Sequence, residues 1–228
     1  MTEKDNKEKI LTALEMKSLV KQKVYDQTQH VFGLLKEILQ EITDEYNEEI
    51  HVKDPRVGFE YKERSQFEIE LKVAGDLLIF SMHSNIFEFD RNHNVWKLNY
   101  IKENSLFSFC GIINVYNFLA DSFKYNRLED LGYLISRIFV NIEKHFFVEG
   151  KRQQEYQYNN FRDLVISKDK LKDIVLRIII YALDFDLLVP PYDNVKIASV
   201  GQLNEKVQYH KMKTGKRLGY KFNSDDVS

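Results

Sequence analysis

"FEIELKVAGDLLIFS", residues 67–81, reads as two strands and the turn between them. Phe67, Ile69, Leu71 and Val73 alternate with Glu68, Glu70 and Lys72, the two-residue period of a strand with one face in oil and the other in water. Ala74-Gly75-Asp76 has turn chemistry, and an apolar run at 78–82 follows at once. So short a link permits only antiparallel neighbours, because parallel strands need a long crossover. The stretch therefore commits the chain to a meander.

The same pattern extends on both sides. Val57, Phe59 and Tyr61 alternate upstream; Phe87, Phe89, the polar turn Arg91-Asn92-His93-Asn94, and Trp96, Leu98 and Tyr100 follow downstream. The spacing predicts about five short antiparallel strands over 56–102. Before them, from about Leu14 to Tyr46, apolar residues recur at 16, 20, 24, 31, 35, 38, 42 and 46, with Ile10, Leu34 and Leu39 beside the stripe. That is helical spacing sustained over many turns, and it predicts a long amphipathic helix closed by Asp54-Pro55.

After Glu103 the period turns helical again. Residues 106–124 are apolar almost all round, which predicts an enclosed helix containing Cys110 as a small buried hydrophobe. Asn126-Arg127-Leu128-Glu129 fits an N-cap with a capping-box glutamate, opening a helix with Leu131, Leu134, Ile138, Ile142 and Phe146 inward. Ser167 caps a last helix with Leu171, Ile174, Val175, Ile178 and Ala182 inward, and Pro190-Pro191 stops it. The fold class is α+β: a long N-terminal helix, an antiparallel meander, a C-terminal helical layer on one sheet face and a short basic tail. The expected divisions are 1–52 for the helix, 53–191 for the core with helices at 106–189, and 192–228 for an appendage.

Composition supports a large core without staples. Hydrophobic residues make up 43% of 228, with 16 Phe and 13 Tyr, which is ample apolar area to offset chain entropy. The single cysteine forbids an intramolecular disulfide, and the charged first residues lack a secretory pattern, so the expected compartment is the cytoplasm. No membrane span is expected, because the most apolar stretches are interrupted by Asn114 and Asn117 or by Asp173, Arg177 and Asp184.

Glu70-Leu71-Lys72 with Asp54 upstream resembles the motif order of metal-dependent nucleases of the restriction-endonuclease type. There an Asp and the Glu bind a divalent cation and the Lys stabilises developing charge. Against this stands the strict alternation of 67–73, which makes Glu68, Glu70 and Lys72 a solvated strand face. A helix should also follow such a strand closely, whereas more strands follow here. No phosphate loop, dinucleotide fingerprint or His-Glu-x-x-His is present, and Thr214-Gly215-Lys216-Arg217 lacks the glycine five residues earlier. His83, Asp90 and His93 form the nearest metal-like grouping, spread over a strand and a turn; no cofactor is called for.

Charge is segregated more than its sum of −2 suggests. Glu37, Glu41, Asp44, Glu45, Glu48 and Glu49 follow one another without a basic residue, and Glu37, Glu41 and Glu45 repel at i, i+4 spacing, which suits a basic partner in this chain or another. Between 206 and 222, Lys211, Lys213, Lys216, Arg217 and Lys221 interleave with Tyr209, Tyr220 and Phe222. Cations contact phosphates and rings stack on unpaired bases, so the segment suits single-stranded nucleic acid or a partner protein. The expected function is that of a cytoplasmic, non-catalytic binding or regulatory protein with Lys211, Lys213, Lys216, Arg217, Tyr220 and Lys221 as contacts. The alternative is the Glu-x-Lys nuclease.

Overall fold

The computed structural model describes residues 3–54, 57–128, 130–150, 161, 165–184, 187–188 and 220–221. It opens with one continuous helical run: α1 (Glu3–Ala13), a π turn (Leu14–Leu19) and α2 (Val20–Ile50). The expected stripe is the buried face of α2, from Val20 and Val24 through Val31, Leu35, Ile38 and Ile42. Met16 departs from expectation. It continues the stripe but is 50% exposed, because the helix runs past the end of the body; residues 4–19 carry no buried side chain.

The sheet is antiparallel throughout. Strands β1 (Phe59–Ser65), β2 (Glu68–Val73) and β3 (Asp76–Met82) form the expected meander, with Ala74 at φ 53 in the turn between β2 and β3. The two-residue β4 (Phe87–Glu88) precedes α3 (Asn99–Glu103), β5 (Phe109–Leu119), α4 (Ala120–Lys124), β6 (Tyr133–Asn141) and β7 (Phe146–Gly150). The sheet order is β1-β2-β3-β5-β6-β7, with β4 continuing the β3 edge of β5 by pairing Phe87 with Cys110.

Three expected elements are corrected. The apolar stretch 106–124 is mainly strand β5, placed centrally between β3 and β6. Both of its faces are covered, by Ile113 and Val115 in the main core and by Cys110 and Ile112 in a second one, so no polar alternation marked it. The helix expected after Asn126 is absent; β6 and β7 stand there. Asn126 adopts φ 51 just past α4, and Arg127 N–H reaches back to Ser122 O at 2.8 Å, so Asn126 ends the preceding helix instead of capping a new one. Finally, Trp96 to Tyr100 is not a strand. A 3₁₀ turn (Asn94–Lys97) and α3 fold the segment over the sheet, with the Trp96 indole N–H donating to Asp90 O at 2.9 Å.

The last helix, α5 (Lys168–Leu183), has the expected start and buried face: Ser167 Oγ accepts from Lys170 N–H at 3.3 Å, and Leu171, Ile174, Val175, Ile178 and Ala182 are buried. It ends at Leu183, short of the expected stop at Pro190-Pro191, which lies outside the described residues, and Leu187–Leu188 is already strand. The helix lies with α2 on one face of the sheet, where Phe32, Leu35, Leu71, Phe80, Val115, Ile138 and Ile178 share one continuous core. Full burial of each such side chain contributes on the order of 1.5–3 kcal/mol. The opposite face carries an aromatic lid. Phe139 and Phe147 stack with centroids 4.4 Å apart, and Phe89 lies 5.3 Å from Phe139. No helix among the described residues is long and apolar enough to cross a membrane.

Candidate functional site

Glu68, Glu70 and Lys72 lie half-buried on the sheet face away from α2 and α5, as the alternation requires. Register places Lys62 opposite Glu70 and Glu60 opposite Lys72. Glu70 meets Arg64 Nε at 3.3 Å and Lys62 Nζ at 3.9 Å, while Lys72 donates to the Glu60 carboxylate. Each member of the Glu-x-Lys pair thus belongs to a cross-strand ion pair with β1, a kind of contact that fixes register. Asp54, half-buried in the turn after α2, has a polar contact of its own. Among the described residues no three of His, Cys, Asp and Glu converge in a way that could hold a metal ion.

His83 and His93 have local roles. His83 Nδ1 accepts from Asn85 N–H at 3.0 Å, and His93 Nδ1 accepts from Val95 N–H at 3.2 Å while its ring stacks on Phe89. Cys110 is wholly buried, on β5 and not on a helix, and desolvation pushes its thiol well above the ordinary range. A thiol held protonated in this way is a poor nucleophile.

A polar hub in the lid had no sequence signal. Asn141 Oδ1 accepts from the N–H groups of Glu143 and His145, both at 3.0 Å, and Asn141 Nδ2 donates to Tyr100 Oη at 3.0 Å. Tyr100 in turn donates to Glu143 at 2.7 Å, and burial raises its pKa above the usual tyrosine range. These contacts pin the turn between β6 and β7 to α3, which makes the cluster a clasp.

Three carboxylates of the acidic ridge, Glu37, Glu41 and Glu45, meet cations of α5. Lys168 Nζ lies 2.6 Å from Glu41 and 3.6 Å from Glu37, and Lys172 Nζ lies 3.1 Å from Glu45. The hydrogen bond to Glu41 raises the Lys168 pKa above the ordinary lysine value. Surface pairs of this kind are worth little individually, with a median of about 0–1 kcal/mol, but they orient α5 alongside α2 with the same direction.

Toward their C-terminal ends the two helices leave a groove of about 430 Å³ between them. Tyr46 and Phe59 form one wall and Leu176, Ile179, Ile180 and Leu183 the other, with Glu49 and Lys53 at the mouth. Asn47 shapes the first wall: its side-chain amide exchanges two 2.8 Å hydrogen bonds with the backbone of Phe59, clipping β1 to α2. The Tyr46 and Phe59 rings consequently meet edge to face, with centroids 5.5 Å apart at 83°. Both residues were legible as inward-facing; the divergence of the helices above them was not.

Of the tail contacts expected from sequence, Lys211, Lys213, Lys216 and Arg217 lie outside the described residues. Tyr220 and Lys221 form a short strand, β9 (Tyr220–Lys221), parallel to β8 (Leu187–Leu188), pairing Leu187 with Tyr220. Leu187 is four residues beyond the end of α5, so it lies no more than about 14 Å from that helix terminus, and Tyr220 lies one strand spacing of about 4.8 Å beyond it. No protein-family model, curated protein or solved structure matches the chain.

Proposed function

We propose that the chain is a cytoplasmic, non-catalytic binding protein whose basic, aromatic C-terminal segment engages single-stranded nucleic acid through Lys211, Lys213, Lys216, Arg217, Tyr220 and Lys221. The observation that supports this is the pairing of Glu37, Glu41 and Glu45 with Lys168 and Lys172. Those glutamates were the obvious internal dock for a lysine-rich tail. With those three already paired to the two lysines of α5, the tail's cations favour an anion supplied from outside. Interleaved tyrosines add base stacking, worth about 1–3 kcal/mol per base and tolerant of sequence.

Salt-dependent binding of labelled single strands tests the proposal. Five phosphate contacts give a slope of log K against log salt near about −3.5, and Lys216→Ala/Arg217→Ala makes it shallower by about 1.4. Binding that the double variant leaves unchanged, or no binding at low salt, rejects it. Capture of a protein that competes with neither strand points instead to a protein partner. Mg²⁺-dependent cleavage lost in both Glu70→Ala and Lys72→Ala would replace binding by hydrolysis.

A further inference from the structure

We infer that the groove between α2 and α5 is a binding site for a small amphipathic cation, an ammonium group carried on an apolar body. Its volume of about 430 Å³ lies within the range of small-molecule sites, which are mostly apolar with a few placed polar groups. Ile180 and Leu183 remain 53% and 49% exposed on the α5 wall, so apolar surface is there to be covered.

The charge preference follows from three features. Tyr46 and Phe59, whose rings meet edge to face at 5.5 Å, both line the groove, and aromatic faces attract a cation. Glu49 projects from α2 one turn beyond Tyr46, placing a carboxylate at the mouth of the same groove. The C-termini of α2 and α5 come to this end together, and neither has a basic residue in its last turn. Their carbonyl ends carry partial negative charge that favours a cation. Lys53, in the turn after α2, is the cation among the lining residues and works against this preference. Among the described residues neither Glu49 nor Lys53 is ion-paired, and the balance between them can be measured.

The test is calorimetric titration of the full chain with n-octyltrimethylammonium, n-octanol and n-octanoate, which share one apolar body and differ in head charge. The ammonium compound is expected to bind roughly tenfold tighter than the alcohol. Glu49→Gln and Tyr46→Leu should each remove roughly three- to tenfold of that affinity while leaving the alcohol within about twofold, and Lys53→Ala should tighten the ammonium compound. Octanoate binding best, with loss in Lys53→Ala, makes this an anion site and overturns the assignment. Equal binding of all three probes reduces the groove to a greasy surface and also overturns it. So does no binding at all, the outcome if another segment or a second copy occupies the groove. Ile180→Arg, at an exposed position, must abolish binding; retained binding places the probe elsewhere and sinks the proposal.

Discussion

Gly111 is where the main helix touches the sheet. A Cβ there would stand 2.0 Å from Thr28 Oγ1 and 2.7 Å from Thr28 Cβ, so only a bare backbone lets α2 approach β5 this closely. Thr28 is itself fully buried, its hydroxyl donating to Val24 O at 2.7 Å within the helix. Because the clash includes Thr28 Cβ, a rotamer change cannot relieve it; the helix must move. Gly111→Ala should therefore cost about 1–3 kcal/mol, as overpacking of a core does. Thermal unfolding should show the midpoint lowered by about 3–10 °C. Thr28→Ala removes the nearest atom and should recover part of the loss, giving a coupling on the order of 1 kcal/mol in a double-mutant cycle. Strict additivity of the two substitutions would mean that the contact does not set the helix–sheet distance.

Between elements, the seam of α2 and α5 is a row of opposite charges laid over a shared apolar stripe. Its pH response has a defined sign. Lys168 holds its proton more tightly folded than unfolded, so its contribution is complete below the ordinary lysine value of 10.5 and drains away as pH rises past it. Lys168→Met keeps most of the side chain and discards the charge. The difference in melting temperature between wild type and this variant should stay constant up to about pH 9 and shrink above about pH 10.5. A difference that persists undiminished to about pH 11.5 would rule out the ion pairs as its source. The elements of this seam were legible because each has one wet and one dry face: Val31, Leu35, Ile38 and Ile42 recur at helical spacing, as do Leu171, Ile174, Val175 and Ile178. β2 was legible for the same reason at a period of two. β5 was not, since Ile112 and Ile113 point to opposite cores and neither neighbour is wet. A run apolar on all sides cannot be told from an enclosed helix by periodicity, and its length favoured the wrong choice. Leu131, Leu134 and Ile138 mimicked a helical stripe, although Leu131 is exposed and of these three only Ile138, with Ile135 near it, belongs to the main core.

At the scale of the molecule, a double-sided body carries a one-sided arm. The sheet is covered by α2 and α5 on one face and, over part of the other, by the aromatic lid, while the 4–19 run leaves the body with Ile10, Leu11, Leu14 and Leu19 about half or more exposed. The candidate groove was beyond sequence because its walls, Tyr46 and Ile180, come from helices far apart in the chain, and no local period records their meeting. The tail's charge could be read directly, since composition needs no geometry. An arm with no buried side chain extends α2 on helix propensity alone and should fray from its free end, because most helical stability in a protein comes from packing of a buried face. Native-state hydrogen exchange should rank the molecule accordingly. Amides of β3, β5 and β6, bonded on both edges beneath packed side chains, should open only with global unfolding, whereas those of 4–19 should exchange close to the unprotected rate. Removal of residues 1–16 should shift the melting temperature by no more than about 1–2 °C, as expected where no buried group is lost. Protection in the arm comparable to that in β5, or a large loss of stability on truncation, would mean that its leucines are covered in solution, and the arm would then have to be counted as an interface.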